Sequence, residues 1–230
     1  MKKIPPQLKK DLVTACRILS QEGLVKGFGH VSARIPDSDL FLITPRISLA
    51  LVQEKDLLVI NLDGETLQGR NSAPFETPLH TAIFNVREEV GAVARIHGSK
   101  ANMFSVTDKK IEPVHNHGSF FSGGVPVFQK TDLISTRQLG EEAAAALGEK
   151  PALLLRGNGQ VAVGKSIAEA VVMAIYLEEA ADILHGALQI GPHKLLTRDE
   201  SGLRKEETLP PVDLQRAWDF FQSKIEGKRN

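Results

Sequence analysis

The sequence predicts an α/β fold in which helices cover both sides of a central, largely antiparallel sheet. Short apolar runs typical of buried strands occur at residues 40–43, 57–60, 152–155 and 161–163. Stripes of apolar residues at helical spacing accompany them, first at residues 8–21 and at greatest length at residues 166–188. Because the order is mixed and several strands follow one another directly, we expect three layers in the order α/β/α.

The remaining elements follow from turn residues and apolar patterns. Gly23 should end the first helix in a left-handed conformation, and Asp63–Gly64 is a hairpin signal. Thr77 is expected to cap the next helix, with Pro78 in its first turn. Further helices are expected at residues 77–87, 101–106, 135–147 and 214–225. Further strands are expected after the glycine turn that begins at residue 27, and at residues 90–96 and 125–128.

The composition is that of a globular chain with balanced charge. The 230 residues include 28 basic and 28 acidic side chains, and 42% are hydrophobic, which suits one domain with a polar tail from about residue 192. Balanced charge gives no general attraction to nucleic acid or to an anionic membrane. No stretch approaches the roughly 20 apolar residues of a membrane span, and the single cysteine, Cys16, excludes an internal disulfide. We therefore expect a cytoplasmic protein that binds neither nucleic acid nor membrane.

Two segments near turns combine side chains that suit substrate binding and proton transfer. In residues 29–34, a glycine turn carries His30, Ser32 and Arg34, which together could hold an anion. A tight turn with a capping serine explains the same residues. Glu76 precedes a predicted helix and His80 lies one turn inside it, which suits acid–base chemistry. The alternative is a carboxylate that only interacts with the helix N-terminus.

Two more segments place histidines where they could act together. The two-residue period of a strand puts Arg95 and His97 on one face at the end of the strand at residues 90–96. A satisfied structural histidine is the alternative. His115 and His117 form a His-x-His pair whose imidazoles project to one side of an extended chain, as metal ligands do. Exposed loop histidines are the alternative there.

The order of these segments resembles the class II aldolase/adducin family over roughly residues 8 to 190. The likeness rests on residues 29–34, on Thr44–Pro45, on Glu76-x-x-x-His80, on the strand that bears His97, and on the strand 153–155 followed by Gly159. The resemblance implies a three-layer domain, a divalent metal ion (Zn, Mn, Fe, Co or Ni) and a small-molecule substrate. It also implies a homotetramer with active sites between subunits. Glu76 corresponds to the acid/base of the family's aldolases, and His97 to one of their three histidine ligands.

Several positions depart from the aldolase pattern. Arg95 and Asn158 stand where the other two histidine ligands are expected, and arginine has no lone pair to donate to a metal. Pro74–Phe75 replaces a pair of serines before the glutamate, and Phe75 suits a planar or apolar substrate better than a sugar phosphate. Arg95 and Arg156 would suit a carboxylate, because guanidinium binds carboxylates bidentately. These features resemble the decarboxylase branch of the family more than its sugar aldolases.

Three interpretations of the site stay open on sequence grounds. A metal could survive on a rearranged set of ligands, made of His97, Glu76 or His80, and His115 or His117. Arg95 could instead supply the positive charge, or catalysis could be lost in an adducin-like binding module. We expect a metal-assisted lyase that cleaves a C–C bond through an enolate-type intermediate, with Glu76, Arg95 and His80 as catalytic residues. Decarboxylation is favoured, and retro-aldol cleavage of a sugar phosphate is the alternative. His30, Ser32, Arg34, Phe75, Arg156 and Asn158 are the expected substrate-binding residues.

Overall fold

The computed structural model describes residues 4–208 and 211–226. Its helices are α1 (Pro6–Gln21), α2 (Thr77–Val86), α3 (Ser99–Phe104), α4 (Arg137–Leu147), α5 (Ile167–Ile190), α6 (Arg198–Thr208) and α7 (Pro211–Glu226). Its strands are β1 (His30–Arg34), β2 (Leu40–Ile43), β3 (Leu58–Asn61), β4 (Thr66–Gln68), β5 (Ala92–Ile96), β6 (Val127–Phe128), β7 (Ala152–Leu155) and β8 (Gly159–Gly164). Short 3-10 turns occur at Glu54–Asp56 and His117–Phe121.

The strands form one eight-stranded sheet in the order β4-β3-β2-β1-β5-β8-β7-β6. Each neighbouring pair is antiparallel except β6 and β7, which are parallel. Helices α1, α5 and α7 contact one another, and α2 contacts α4. The predicted α/β fold with a largely antiparallel sheet between helical layers is confirmed.

Alternation along the strands sorts side chains between two cores. Val31 and Ala33 of β1 and Ala92, Ala94 and Ile96 of β5 pack with α1 and α5. The intervening Val93 packs with α2 and α4 on the opposite face. His30, Ser32, Arg34 and Arg95 share the parity of Val93, so they belong to the α2 face. The sheet thus directs its polar residues towards the helix that begins after Glu76.

Turn residues end several elements as predicted. Gly23 has φ 73° just after α1, and Gly64 has φ 90° in the turn that joins β3 to β4. Glycine suits both positions because a side chain at positive φ is strained. The predicted helix 101–106 begins two residues earlier, at Ser99.

Three local predictions are corrected. Thr77 is the first residue of α2 rather than its cap, and its hydroxyl donates to the carbonyl of Pro74 at 2.7 Å. The strand predicted at residues 125–128 is shortened to Val127–Phe128, because Pro126 has no backbone N–H to donate. The tail after residue 192 forms two helices rather than one, and Trp218 and Phe221 of α7 are buried in the core with α1 and α5. Within the described ranges, no helix is long and apolar enough to cross a membrane.

Candidate active site

A cavity of about 760 Å³ opens on the α2 side of the sheet, where β1 begins and β5 ends. Because β1 and β5 run antiparallel, His30 pairs with Arg95 in register. The cavity walls come from the loops at Gly27–Gly29, Pro45–Ile47 and Asn71–Glu76, together with His97 and Asn158. A cavity of this size is typical of a site for a small molecule.

A buried ion pair forms the base of the cavity. Arg95 Nε lies 3.1 Å from Glu76 Oε2, and the two residues are 1% and 6% exposed. Arg95 Nη1 donates to the carbonyl of Ile96 at 2.7 Å, which fixes the side chain. The Arg95 Nε–H is not aligned for a hydrogen bond, and Glu76 Oε1 has no hydrogen-bond partner in the described part of the chain. The Glu76 carboxylate, which lines the cavity, therefore keeps bonding capacity for a ligand.

The charges around Glu76 keep it ionised. Burial by itself raises the pKa of Glu76, but the hydrogen bond from His30 and the charge of Arg95 outweigh burial and lower the pKa to about 2. At neutral pH the free site therefore holds a carboxylate that can act as a base.

A chain of buried side chains leads away from Glu76. His30 Nε2 lies 3.4 Å from Glu76 Oε2, His30 Nδ1 lies 2.6 Å from His80 Nε2, and His80 Nδ1 lies 2.6 Å from Ser32 Oγ. Burial is the largest cause that lowers the pKa of both histidines, so both are neutral. A neutral His30 that donates to ionised Glu76 must accept from His80, which in turn must accept from the Ser32 hydroxyl. All the hydrogen bonds of the chain therefore point towards Glu76.

Arg95 stands at the position where the family resemblance implies a metal ligand. His97 Nε2 lies 3.4 Å from Arg95 Nη1, and Asn158 lines the same wall. Burial and then the charge of Arg95 lower the pKa of His97 to about 4. A permanent cation beside a single imidazole repels a metal ion, so Arg95, His97 and Asn158 do not fit the metal site of three histidines that the resemblance implies.

Two predicted substrate-binding arginines lie outside the cavity, which corrects the prediction for this chain. Arg34 is at the far end of β1, and its guanidinium donates to the carbonyls of Phe84 and Val90 at 2.8 and 3.3 Å. Four residues of extended strand separate it from His30, which is about 13 Å of chain. Arg156 is exposed and donates through Nε to the carbonyl of Gln129 at 2.6 Å.

Ser32 and His80 lie behind the cavity rather than in its wall. Both are fully buried, and each contacts the cavity only through His30. Ser32, predicted to bind substrate, and His80, predicted to be catalytic, therefore do not line the cavity of this chain, and their hydrogen bonds reach it through His30.

Sequence reasoning missed Arg46, which lies at the cavity mouth with Phe75. The Arg46 guanidinium lies 4.2 Å from the centroid of the Phe75 ring, and the Phe75 residue is 62% exposed. The available signal was a basic residue immediately after the Thr44–Pro45 strand end.

His115 and His117 lie outside the cavity and near Glu179 of α5. His117 Nδ1 lies 3.0 Å from Glu179 Oε2, and His115 Nε2 lies 3.9 Å from Glu179 Oε1. Across residues 4–208 and 211–226, these side chains are the one group of three or more His, Cys, Asp or Glu residues that could hold a metal ion. The predicted set that joined His97 to these histidines is therefore not formed within one chain, and Glu179 was missed.

Comparison with known proteins gives consistent likenesses over most of the chain. The Class II Aldolase and Adducin N-terminal domain matches residues 10–185. A 3,4-dihydroxyphthalate decarboxylase from Arthrobacter keyseri is 32% identical over 191 residues, which cover 76% of each chain. A 5-methylthioribulose-1-phosphate/5-deoxyribulose-1-phosphate aldolase from Rhodospirillum rubrum is 29% identical over 195 residues, with 84% of this chain and 87% of the relative covered.

A solved structure shows the same fold. The L-fuculose 1-phosphate aldolase from Glaciozyma antarctica PI12 superposes with a TM-score of 0.85 at 24% identity, and the match covers 97% of this chain and 90% of that one. At this identity the likeness establishes the fold.

Proposed function

Because this chain belongs to the class II aldolase and adducin family and is a lyase of its aldolase/decarboxylase type, we propose that it decarboxylates a planar, hydroxylated aromatic acid. The observation that carries the proposal is the buried Arg95–Glu76 pair at the base of the cavity. A fixed guanidinium matches a substrate carboxylate, and an ionised carboxylate beside it matches a hydroxyl proton. The similarity to a dihydroxyphthalate decarboxylase supports this substrate class.

Substrate binding would change the electrostatics of Glu76. A substrate carboxylate placed against Arg95 shares the positive charge that lowers the pKa of Glu76 in the free site. The pKa of Glu76 then rises, because a second anion now competes for the same cation. Glu76 thereby becomes a group that can both take up and release a proton during one turnover.

Decarboxylation replaces the carboxylate by a hydrogen and therefore consumes one proton, which solvent supplies. Glu76 takes the proton of a ring hydroxyl, and the resulting phenolate pushes electrons to the ring carbon that bears the carboxylate. That carbon takes the proton back from Glu76, and CO₂ leaves while the electrons of the broken C–C bond restore the aromatic ring. A proton from solvent then regenerates the hydroxyl. Positioned proton transfer of this kind contributes about 10²–10⁴-fold to the rate. No step is assigned to a metal ion, because Arg95 and Asn158 stand at two of the three positions where the family resemblance implies metal ligands.

The residues at the cavity mouth favour an aromatic anion over a sugar phosphate as the substrate. Phe75 offers an exposed ring on which a planar substrate can stack, and Arg46 places a second guanidinium beside it. A substrate with two carboxylates could then contact Arg95 at the base and Arg46 at the mouth.

Retro-aldol cleavage is the second candidate, because an ionised Glu76 is also suited to removing a hydroxyl proton from a sugar phosphate. The two reactions differ in their products. Hydroxylated aromatic acids should release CO₂, whereas sugar phosphates should yield a new carbonyl compound. Turnover of sugar phosphates alone would favour the aldolase, and turnover of neither class would favour a binding module.

The decisive variant is Arg95→Gln. We expect it to lower kcat/KM for the carboxylate substrate by at least about tenfold, since a charge-assisted contact is lost. Arg156→Gln, which removes an arginine outside the cavity, is the matched control and should keep wild-type kinetics. Full activity of Arg95→Gln on every substrate of the wild type would contradict the proposal. Circular dichroism should show both variants folded.

A further inference from the structure

We propose that His115, His117 and Glu179 bind one divalent transition-metal ion at a site separate from the Glu76 cavity. The proposal rests on their geometry. One ligand atom from each residue can be chosen so that the three lie within 4.8 Å of one another. None of the three residues lines the cavity that holds Arg95 and Glu76. This metal site is therefore different from the one that the family resemblance implies.

The feature that points to a ligand is the His115 ring, which has no hydrogen-bond partner among the described residues although its Nε2 lies 3.9 Å from Glu179 Oε1. Both ring nitrogens of His115 are buried and lack a hydrogen-bond partner within the described structure. An ion pair between His117 and Glu179 would explain the 3.0 Å contact between those two residues, but it leaves His115 unsatisfied. Buried polar atoms almost always have a hydrogen-bond partner, so an imidazole without one, beside a second imidazole and a carboxylate, indicates a binding site for a cation. A cation satisfies all three side chains at once.

The surroundings hold two of the three ligands in place before any metal arrives. The His117 ring stacks on Tyr176 with centroids 3.8 Å apart and planes 7° apart. Tyr176 precedes Glu179 by three residues on α5, so the same helix face orients the imidazole and supplies the carboxylate. His115 and His117 flank Asn116 at the start of the 3-10 turn, which keeps the two rings close, with centroids 5.9 Å apart. Such preorganisation reduces the entropy lost on binding.

The ligand types select the metal. Two imidazoles and one carboxylate suit Zn²⁺, Fe²⁺, Co²⁺, Ni²⁺ or Mn²⁺, whereas Ca²⁺ and Mg²⁺ prefer oxygen ligands throughout. A neutral imidazole offers the lone pair of one ring nitrogen to a metal ion. Water would complete the coordination of an ion that has only three protein ligands.

A bound ion would join the loop before the 3-10 turn to α5. Because the unfolded chain cannot present the three ligands together, the ion should stabilise the folded protein in proportion to the logarithm of its concentration over Kd. This effect is independent of turnover, so failure of the proposed decarboxylation would leave the metal proposal standing, and the reverse also holds.

The test uses the full chain after chelator treatment and dialysis. Titration with Zn²⁺ and Co²⁺ should show about one ion bound per chain, a raised melting temperature and a visible Co²⁺ spectrum. Glu179→Gln and His115→Asn should each weaken binding by at least about tenfold, the lower end of what loss of even an outer-shell partner costs. Asp182→Asn changes an exposed residue of the same helix and His185→Asn a half-buried one, and both variants should bind as the wild type does.

His97→Asn decides between the two places that could hold a metal. If His97→Asn abolishes binding while Glu179→Gln retains it, the metal lies in the cavity and the proposal fails. Absence of stoichiometric binding by the wild type would also overturn it. Binding that is lost in Glu179→Gln and kept in His97→Asn supports the proposal. The Co²⁺ spectrum should then change in Glu179→Gln and stay as in the wild type in His97→Asn.

Discussion

The Ser32 hydroxyl controls a carboxylate that it does not touch. It lies 2.6 Å from His80 Nδ1, and the next contacts lead through His30 to Glu76. Because both histidines are neutral, the orientation of each hydrogen bond depends on the one before it. Loss of the first donor lets both rings change tautomer, which would turn a lone pair of His30 towards the Glu76 carboxylate.

We therefore expect Ser32→Ala to raise the pKa of Glu76. The hydrogen bond from His30 is the largest cause that lowers this pKa, so its loss should move the acid limb of the pH–rate profile towards neutrality. Nitrogen-15 NMR of the histidines should report the tautomer change directly. Ser32→Thr keeps a hydroxyl and should preserve the pH–rate profile. Ser38→Ala is the control, because the Ser38 hydroxyl donates to the carbonyl of Ile35 and takes no part in the hydrogen bonds that lead to Glu76. An unchanged acid limb together with unchanged tautomers in Ser32→Ala would refute the relay.

At the scale of elements, the turn between β7 and β8 packs against Arg95 at the base of the cavity. Gly159 has φ 92°, and a Cβ there would overlap the carbonyl oxygen of Ile96 and lie 2.9 Å from Arg95 Nη1. The turn thus brings backbone against the side chain that is proposed to bind substrate. Glycine at this position is a requirement of the site as well as of the turn.

We expect Gly159→Ala to destabilise the fold and to displace Arg95. Gly186, near the C-terminal end of α5, is the matched control, because a Cβ there meets nothing within 4 Å. Gly186→Ala should instead stabilise the protein by about 0.5–1 kcal/mol through helix propensity. Urea unfolding of both variants measures the difference. Equal effects in the two variants would show that Gly159 is not constrained by its neighbours.

Local patterns predicted the elements well because each leaves a signal within a few residues. Apolar runs and turn glycines located β2, β7 and the end of α1, and Thr77 with Pro78 located the start of α2. Contacts between distant segments left no such signal. The proximity of Glu179 to His117 depends on how α5 packs, and the separation of Arg34 from the cavity depends on where β1 begins. Sequence therefore singled out candidate site residues but not how the fold groups them.

For the molecule as a whole, buried titratable groups predict how stability depends on pH. The pKa of His97 is about 4 against an ordinary 6.5, and burial is also the largest cause of the lowered pKa of His30 and His80. The unfolded chain therefore binds more protons below pH 6.5, and stability is lost as pH falls through that value. Glu76, whose pKa is lowered from 4.5 to about 2, contributes stability that is lost below pH 4.5.

We expect the free energy of unfolding to decline below pH 6.5 and more steeply below pH 4.5. The test is the urea midpoint of unfolding, measured at a series of pH values from neutrality to below pH 4.5. Unfolding is monitored both by circular dichroism and by the fluorescence of Trp218, the single tryptophan. His97→Gln should make the first decline shallower. A midpoint that stays constant down to pH 5 would contradict the expectation. Coincident transitions of the two probes would also support the prediction of a single domain, since Trp218 lies in α7.

Assembly into a tetramer, which the family resemblance implies, stays a prediction, and the exposed side chain of Phe28 on the rim of the cavity agrees with it. Phe28 is 81% exposed and Leu51 67%. Light scattering should give four times the chain mass of 25.1 kDa. Phe28→Ser should weaken assembly if this rim is buried between subunits, whereas Ile190→Ser, at a still more exposed site at the end of α5, is the control. A wild-type mass of 25.1 kDa at micromolar concentration would contradict the prediction.

The two outer strands of the sheet restrict how copies of this chain can associate. At one side β4 has only three residues, all exposed, and its pairing with β3 is irregular at Val59 and Ile60. At the other side β6 has only two residues. Neither strand offers a long, flat row of unpaired backbone groups to which a neighbouring molecule could add its own strand. Polymerisation by sheet extension is thereby disfavoured, and any assembly must form through loops and helices, where side chains determine the partner.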